Sequence, residues 1–332
     1  MSFGGTATLN SGYKIPYLGY GTWQATPGDV GQGVYEALRV GYRHLDLAKA
    51  YNNQREVGQG IRKALAEVPG LKRDDIFITS KLWNTKHRPE DVEPALDDTL
   101  AELGLDYLDL YLVHWPIAFR PGDDFMPKRA ENDQEIDIYD GCSLTDTWNA
   151  FIKLPKTKVR SIGVSNFTID HLEAIIKDTG IVPAVNQIER HPRVPDPLLI
   201  EYARKNNIHI TAYSPLGNNY IGVPLLVSEP EVQAIAERLS KVQGKAITSS
   251  QVIIAWGQIG GHSVVPKSFT PSRIAENFQQ VELDDEAISA LDKFGQSPQR
   301  FSIPANFIPK WNINVFGSEA EKDARHQVIS RA

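Results

Sequence analysis

Eight short β-rich runs along this chain are each followed by a stretch with helical spacing, and few folds can absorb such a rhythm. Leu18 to Thr22 reads as a strand, and Val30 to Val40 follows with Val30, Val34, Ala37, Leu38 and Val40 on one helical side. The pattern continues through His44–Asp46 with helix Glu56–Leu65, Ile76–Lys81 with Pro89–Leu103, and Leu108–His114 with a helix near Leu144–Ile152. It then runs through Arg160–Ser165 with Ile169–Asp178, Ala184–Gln187 with Asp196–Lys205, His209–Tyr213 with Glu231–Lys241, and His262–Lys267 with Pro271–Phe278. Pro89 suits a first helical turn and Gly104 a stop. Successive strand–helix units demand parallel strands, because the helices serve as the crossovers. At 332 residues the chain is long enough to close eight of them into one (β/α)8 barrel. The expected organisation is a single domain, residues 1–332, with the barrel over about 17–295. Ala7 to Pro16, with Asn10-Ser11-Gly12 at its turn, reads as a hairpin capping the bottom. Residues 296–332, aromatic and irregular, would cover the top.

Active sites of such barrels lie at the C-terminal ends of the strands. Those ends carry Asp46 with Tyr51 just beyond, Lys81, His114, Ser165-Asn166, Gln187, Tyr213-Ser214 and Lys267-Ser268. Each residue alone has an ordinary explanation, such as a helix cap or a snorkelling lysine. A barrel brings them all to one rim, which scattered surface polarity does not do. Tyr, Lys, Asp and His also form a coherent proton-delivery group. A lysine cation stabilises a phenolate and so should lower the tyrosine pKa from about 10. A carboxylate would hold that lysine charged, and a neutral histidine would orient a carbonyl oxygen. A hydride donor is then needed to complete a carbonyl reduction.

The run Val264 to Asn277 (VVPKSFTPSRIAEN) supplies a candidate phosphate site, in which Lys267 and Arg273 flank the helix opened by Pro271. No G-x-G-x-x-G follows a strand, since Gly19-Tyr20-Gly21 runs into Gln24 and Gly58-Gln59-Gly60 lies inside a helix. A nicotinamide cofactor would therefore have to bind outside a Rossmann fold. Walker A and H-E-x-x-H motifs are also absent. The net charge of -6 gives no reason to expect nucleic acid or an anionic membrane as partner. The single cysteine, Cys142, excludes an intrachain disulfide and thiolate-built metal clusters. No metal is expected. MSFGGTATLN has neither a basic start nor an apolar core, and no apolar run reaches membrane length, so a cytoplasmic protein is expected. No exposed heptad points to an oligomer, so a monomer is expected, with a weak dimer as the alternative.

These residues have a family likeness. Gly41–Gly58 (GYRHLDLAKAYNNQREVG), Leu112–Pro116 (LVHWP), Ile162–Phe167 (IGVSNF), Pro183–Glu189 (PAVNQIE), Tyr213–Gly217 (YSPLG) and Pro266–Asn277 together resemble the aldo-keto reductases over nearly the whole chain. HITAYSPLGNN and the tail Trp311–Gly317 are most similar to the fungal NADPH-dependent aldehyde reductases and glycerol dehydrogenases of that family. The resemblance implies reduction of aldehydes and reactive ketones, with polyol oxidation as the reverse. It implies a tetrad of Asp46, Tyr51, Lys81 and His114, with Tyr51 as the acid. It places Ser165, Asn166 and Gln187 on the nicotinamide amide, Tyr213 against the ring, and Gly21, Thr22 and Trp23 beside it. Ser214 and Leu216 would follow the pyrophosphate. Lys267, Ser268 and Arg273 would read the 2′-phosphate, which favours NADPH over NADH, and Glu276 and Asn277 would meet the adenosine. Trp23, Trp83 and Trp115 would line the substrate pocket with Trp311 and Asn306.

Several residues depart from the family pattern. Gln54-Arg55 stand where an acidic residue is usual, Phe269 replaces a smaller residue, and Lys49 would add positive charge at the pocket rim. The charged loop Ile117–Gly141 reads as either a lid or a solvated excursion. Two other functions fit the same fold: a nucleotide-binding regulatory subunit, and a lyase using Lys81 as a Schiff-base amine.

Overall fold

The computed structural model describes residues 5–218, 222 and 224–331. Eight parallel strands pair in chain order: β1 Tyr20–Gly21, β2 His44–Asp46, β3 Phe77–Leu82, β4 Leu108–Val113, β5 Val159–Ser165, β6 Val185–Glu189, β7 His209–Tyr213 and β8 Ser263–Val264. The sheet closes on itself. Leu18 bridges Val264 in parallel, Gly19 N donates to Val264 O at 2.8 Å, Val264 N to Tyr17 O at 2.9 Å, and Gly21 N to Pro266 O at 2.9 Å. Every residue of β3 and β4 is buried. Helices cover the outer face and side chains fill the interior, which is why burial along these strands does not alternate.

Helix Asp29–Val40 buries Val30, Val34, Ala37 and Leu38 of the stripe its spacing predicts, with Gly33 beside them, while Val40 is half-buried. The next helix, Gln54–Glu67, packs close to both neighbours through two glycines. A Cβ on Gly60 would lie 2.3 Å from Gly31 O, and one on Gly58 would lie 2.3 Å from Leu103 O. The Gly-Gln-Gly that mimicked a dinucleotide loop is thus a helix-packing device. Helix Pro89–Leu103 opens on its proline and ends at Gly104, φ 68°.

Two strand ends near the rim differ from expectation. β6 runs on to Glu189, because its ladder with β7 continues to the pair Glu189–Tyr213. β8 stops at Val264 rather than Lys267. Val265 N still donates to Ala212 O at 3.0 Å, but Pro266 has no N–H to continue the ladder. Two unexpected helices, Ser249–Gly257 and Asp285–Asp292, also appear. The first is buried almost all round, so it shows no amphipathic period, and a Thr248–Gln251 capping box starts it.

The hairpin Thr6–Thr8 with Lys14–Pro16 plugs the bottom, burying Leu9 and Ile15 against Phe77, Leu110, Leu112, Ala184 and Val185. At the top, the 117–141 loop is a folded wall. It forms its own short hairpin, Lys128–Arg129 with Asn132–Ile136, and Phe119, Ile136 and Ile138 join Trp83, Trp115, Trp311, Ile313 and Val315 in one apolar cluster. The tail pairs Ile313–Asn314 with His326–Gln327 in parallel and lies against that wall. Among the described residues no helix is long and apolar enough to cross a membrane.

Candidate active site

Parallel pairing in register brings the strand ends to one level: Gly21 opposite Asp46, Lys81 opposite Leu112, Gln187 opposite Ser165, Glu189 opposite Tyr213. Lys81, 1% exposed, donates to Asp46 Oδ2 and to Leu47 O, both at 2.8 Å, and to the Tyr51 hydroxyl at 3.3 Å. All three ammonium protons are thereby used, which leaves no free amine for a Schiff base. Asp46, 3% exposed, accepts at its other oxygen from Gln187 Nε2 at 2.7 Å. Tyr51 ends the short turn Lys49–Tyr51 after β2, and its ring meets His114 edge-on at 6.0 Å. His114 follows β4 directly.

Burial pushes the His114 imidazole well below its ordinary pKa, and the Lys81 and His87 charges add to the effect. The ring is neutral at pH 7, as the sequence reading required. The Tyr51 phenol moves against that reading. Burial first, then the Asp46 carboxylate and Tyr213, push its pKa well up, and the Lys81 ammonium does not reverse this. The phenol is therefore held protonated, which is the state an acid must start from. Burial also lowers the Lys81 pKa, opposed by Asp46.

Two cavities meet at Tyr51. The first, about 300 Å³, has Tyr51, His114, Ser165, Asn166 and Gln187 on its floor and Trp23, Trp83, Trp115 and Trp311 among its walls. Phe125 stacks on Trp83 at 4.8 Å and 10°, and the Trp83 indole N–H donates to Phe125 O at 2.7 Å. Trp311 meets Trp83, Trp115, Phe119 and Phe307 edge-on at 4.8–5.8 Å. Contacts of this kind contribute about 0.5–1.5 kcal/mol each, so the wall is rigid.

The fold coincides with that of known proteins. The model of the aldo/keto reductase family matches residues 5–296. The chain belongs to the aldo/keto reductase family. It is 68% identical to a D/L-glyceraldehyde reductase of Hypocrea jecorina over 329 residues, 99% of each chain. It is 40% identical to aldo-keto reductase family 1 member A1-A of Danio rerio, covering 97% of this chain and 96% of that one. The solved aldose reductase of Schistosoma japonicum superposes with TM-score 0.81 at 40% identity, covering 90% of this chain and 95% of that one.

The second cavity of this aldo/keto reductase, about 210 Å³, shares Trp23, Tyr51, Tyr213 and Asn218 with the first. It runs past Gly21, Thr22, Asp46, Ser214, Leu216, Val265 and Lys267. Its rim holds strained backbone, with Ser214 at φ 46° and, nearby, Asn166 at φ 66°. Asn166 uses both amide protons and one of the two lone pairs of its oxygen. It donates to His114 O at 3.0 Å and to Ser165 Oγ at 3.1 Å, and accepts from the Tyr213 hydroxyl at 2.7 Å.

A dinucleotide phosphate fits the far end. Lys267 lines this end and stands over the Phe269 ring at 5.1 Å, and burial lowers its pKa; Arg273 is exposed on the following helix, outside the cavity lining, and among the described residues neither has an acidic partner. The helix that carries Arg273 spans only Pro271–Asn277, so the side-chain cations rather than a helix dipole carry the positive charge.

The remaining expected residues lie off both walls. Ser268 O accepts from the Tyr20 hydroxyl at 2.7 Å, Glu276 is exposed and Asn277 is buried. Asn306 is exposed in the turn Pro304–Asn306. Lys49 adds no charge to the pocket, since it pairs with Asp98 and, at 2.9 Å, with Glu102 on the helix Pro89–Leu103. Gln54 joins the same cluster, donating to Glu102 at 2.9 Å and accepting from Ser80 at 2.6 Å. Sequence reasoning missed Ala50, Phe125, Met126, Ser302 and Ile308 on the first wall. Phe125-Met126 had a signal, being the apolar pair within RPGDDFMPKR.

Proposed function

We propose that this chain reduces aldehydes and reactive ketones to alcohols with NADPH, and that Tyr51 delivers the proton. The observation that carries the proposal is the hydrogen-bonded Asp46–Lys81–Tyr51 chain, with neutral His114 beside it, on the floor of an aromatic-walled cavity. The nicotinamide dinucleotide supplies the hydride when bound. The two cationic side chains Lys267 and Arg273, without acidic partners among the described residues, support a cofactor bearing an extra phosphate. Ser165, Asn166, Gln187 and Tyr213 would hold its amide end.

The neutral His114 imidazole orients the carbonyl oxygen toward Tyr51. As negative charge grows on that oxygen, the phenol transfers its proton. An alkoxide is a stronger base than a phenolate, so a phenol of raised pKa still suits the task. Lys81, fixed by Asp46 and Leu47 O, meets the negative charge arriving on the phenol oxygen without having to reorient. The relative's name makes glyceraldehyde the first substrate to try, and the aromatic wall favours arylaldehydes as well. Reversible polyol oxidation follows from the same groups. The reading includes a monomer in the cytoplasm, which the lone buried Cys142 suits.

The test is consumption of NADPH, in parallel with NADH, on glyceraldehyde, benzaldehyde and a β-keto ester. NADPH turnover that Tyr51→Phe reduces at least 100-fold is expected, the low end of general acid catalysis. Turnover of none of the three, or an active Tyr51→Phe enzyme that still binds NADPH, overturns the assignment.

A further inference from the structure

Glu189 is fully buried at the end of β6, and its carboxylate faces backbone far along the chain. Oε1 accepts from Phe301 N at 2.8 Å and from His191 Nε2 at 2.9 Å, and Oε2 accepts from Ser302 N at 2.7 Å. His191 is also fully buried, and its ring lies 5.2 Å from the Phe301 ring. Burial raises the Glu189 carboxyl pKa, but the His191 hydrogen bond and charge, the Arg300 charge and the Phe301 N–H outweigh it and hold the group ionised.

The segment this carboxylate grips is the third wall of the substrate cavity. Phe301, Ser302, Phe307, Ile308 and Trp311 all line it. Side chains two apart on a strand share a face, so Glu189 projects on the side of Gln187, which holds Asp46. Its ladder partner is Tyr213, whose phenol the Ser302 side chain reaches. One residue therefore joins the substrate wall to the strands that carry the tetrad support and the ring shelf.

We infer that Glu189 is a positioning residue that sets substrate size preference by clamping the 301–311 segment onto the barrel rim through its two backbone N–H groups. The inference rests on the proposed reductase reading. Neutral glutamine keeps one acceptor oxygen and must present an N–H where the carboxylate accepted, so at least one tail bond is lost. The tail then detaches at Phe301–Ser302, while Tyr51, Lys81, Asp46 and His114 stay in place.

The experiment compares wild type, Glu189→Gln and Glu189→Asp. Aspartate keeps the charge but is one methylene shorter and fails to reach both N–H groups, so it serves if the glutamine variant does not fold. KM and kcat are measured for 4-nitrobenzaldehyde and glyceraldehyde, NADPH binding by tryptophan fluorescence, and amide hydrogen exchange over 300–316. The expected result is a KM for the arylaldehyde raised about tenfold, a glyceraldehyde KM changed by less than threefold, kcat and NADPH affinity within about twofold, and exchange at 301–302 at least tenfold faster. Unchanged exchange and unchanged KM overturn the clamp. A uniform fall in kcat and NADPH affinity for both substrates also overturns it, because that is general disruption. If the wild type reduces no aldehyde, the reductase reading fails, and the exchange arm still decides whether Glu189 holds the tail.

Discussion

Replacing Lys81 with methionine should damage stability and activity separately, and the structure says by how much. Lys81 and Asp46 are 1% and 3% exposed and 2.8 Å apart, so solvent screens the pair very little. Removing one member of a buried pair costs about 3–5 kcal/mol, because the survivor is left charged without a partner. Asp46 keeps the Gln187 bond at 2.7 Å, which puts the cost at the lower end, about 3 kcal/mol. An unfolding entropy of about 2.1 cal/mol/K per residue gives a chain of 332 residues about 0.7 kcal/mol/K. The melting temperature should then fall by about 4 °C. Urea unfolding followed by circular dichroism reads the free energy directly. The double variant Lys81→Met/Asp46→Asn removes the orphaned charge and should recover to within about 1 kcal/mol of wild type, yet stay catalytically dead. A single variant that loses less than about 1 kcal/mol refutes the argument. So does a double variant whose loss is the plain sum of the two singles, since neither outcome fits a mutually dependent buried pair.

Arg273→Ala should raise the NADPH Michaelis constant about 10-fold or more, for loss of a charged hydrogen bond of about 1.5–3 kcal/mol, and leave that for NADH within twofold. Parallel steady-state titrations read the ratio, and equal changes for both cofactors would remove Arg273 from phosphate recognition. Burial depresses the pKa of His44 and His171 to about 4 and of His87 and His262 to about 3. Above the unfolded value of 6.5 these rings cost nothing. Below it the unfolded chain binds protons the folded one refuses, and each histidine removes up to about 1.4 kcal/mol of stability per pH unit. Together that matches a typical domain stability, about 5–15 kcal/mol, within two or three pH units, so circular dichroism should show unfolding before pH 4, and a native spectrum at pH 4 contradicts the sign. Gly60→Ala places a methyl 2.3 Å from Gly31 O and should cost about 1–3 kcal/mol by overpacking, read as a lower urea midpoint with unchanged kcat.

The barrel itself was legible in the sequence because its signals are local. Eight apolar runs, helical stripes such as Val30–Val34–Ala37, and Pro89 and Gly104 at helix ends each follow from a few neighbouring side chains. The convergence of Asp46, Lys81, His114 and Gln187 needed only the parallel topology, since every strand then points its end the same way. The helix Ser249–Gly257 stayed hidden because burial on all sides erases periodicity. The ionisation of Tyr51 was misjudged from residue types alone. A lysine and a tyrosine in one group suggest a lowered phenol, but the balance between burial and charge depends on distances that only packing sets. Lys49 and Asn306 fail as pocket residues for the same reason: proximity in sequence to Tyr51 or Trp311 does not fix which way a side chain turns. The clamp by Glu189 lay wholly outside sequence reasoning, because its donors are backbone groups of Phe301 and Ser302, whose identity as residues carries no mark of it. Sequence by itself determined which groups stand at the barrel's rim, since periodicity and strand polarity decide that. Only the tertiary structure decided which of them touch, which are desolvated and what closes over them, because those depend on long-range packing between segments that share no local pattern.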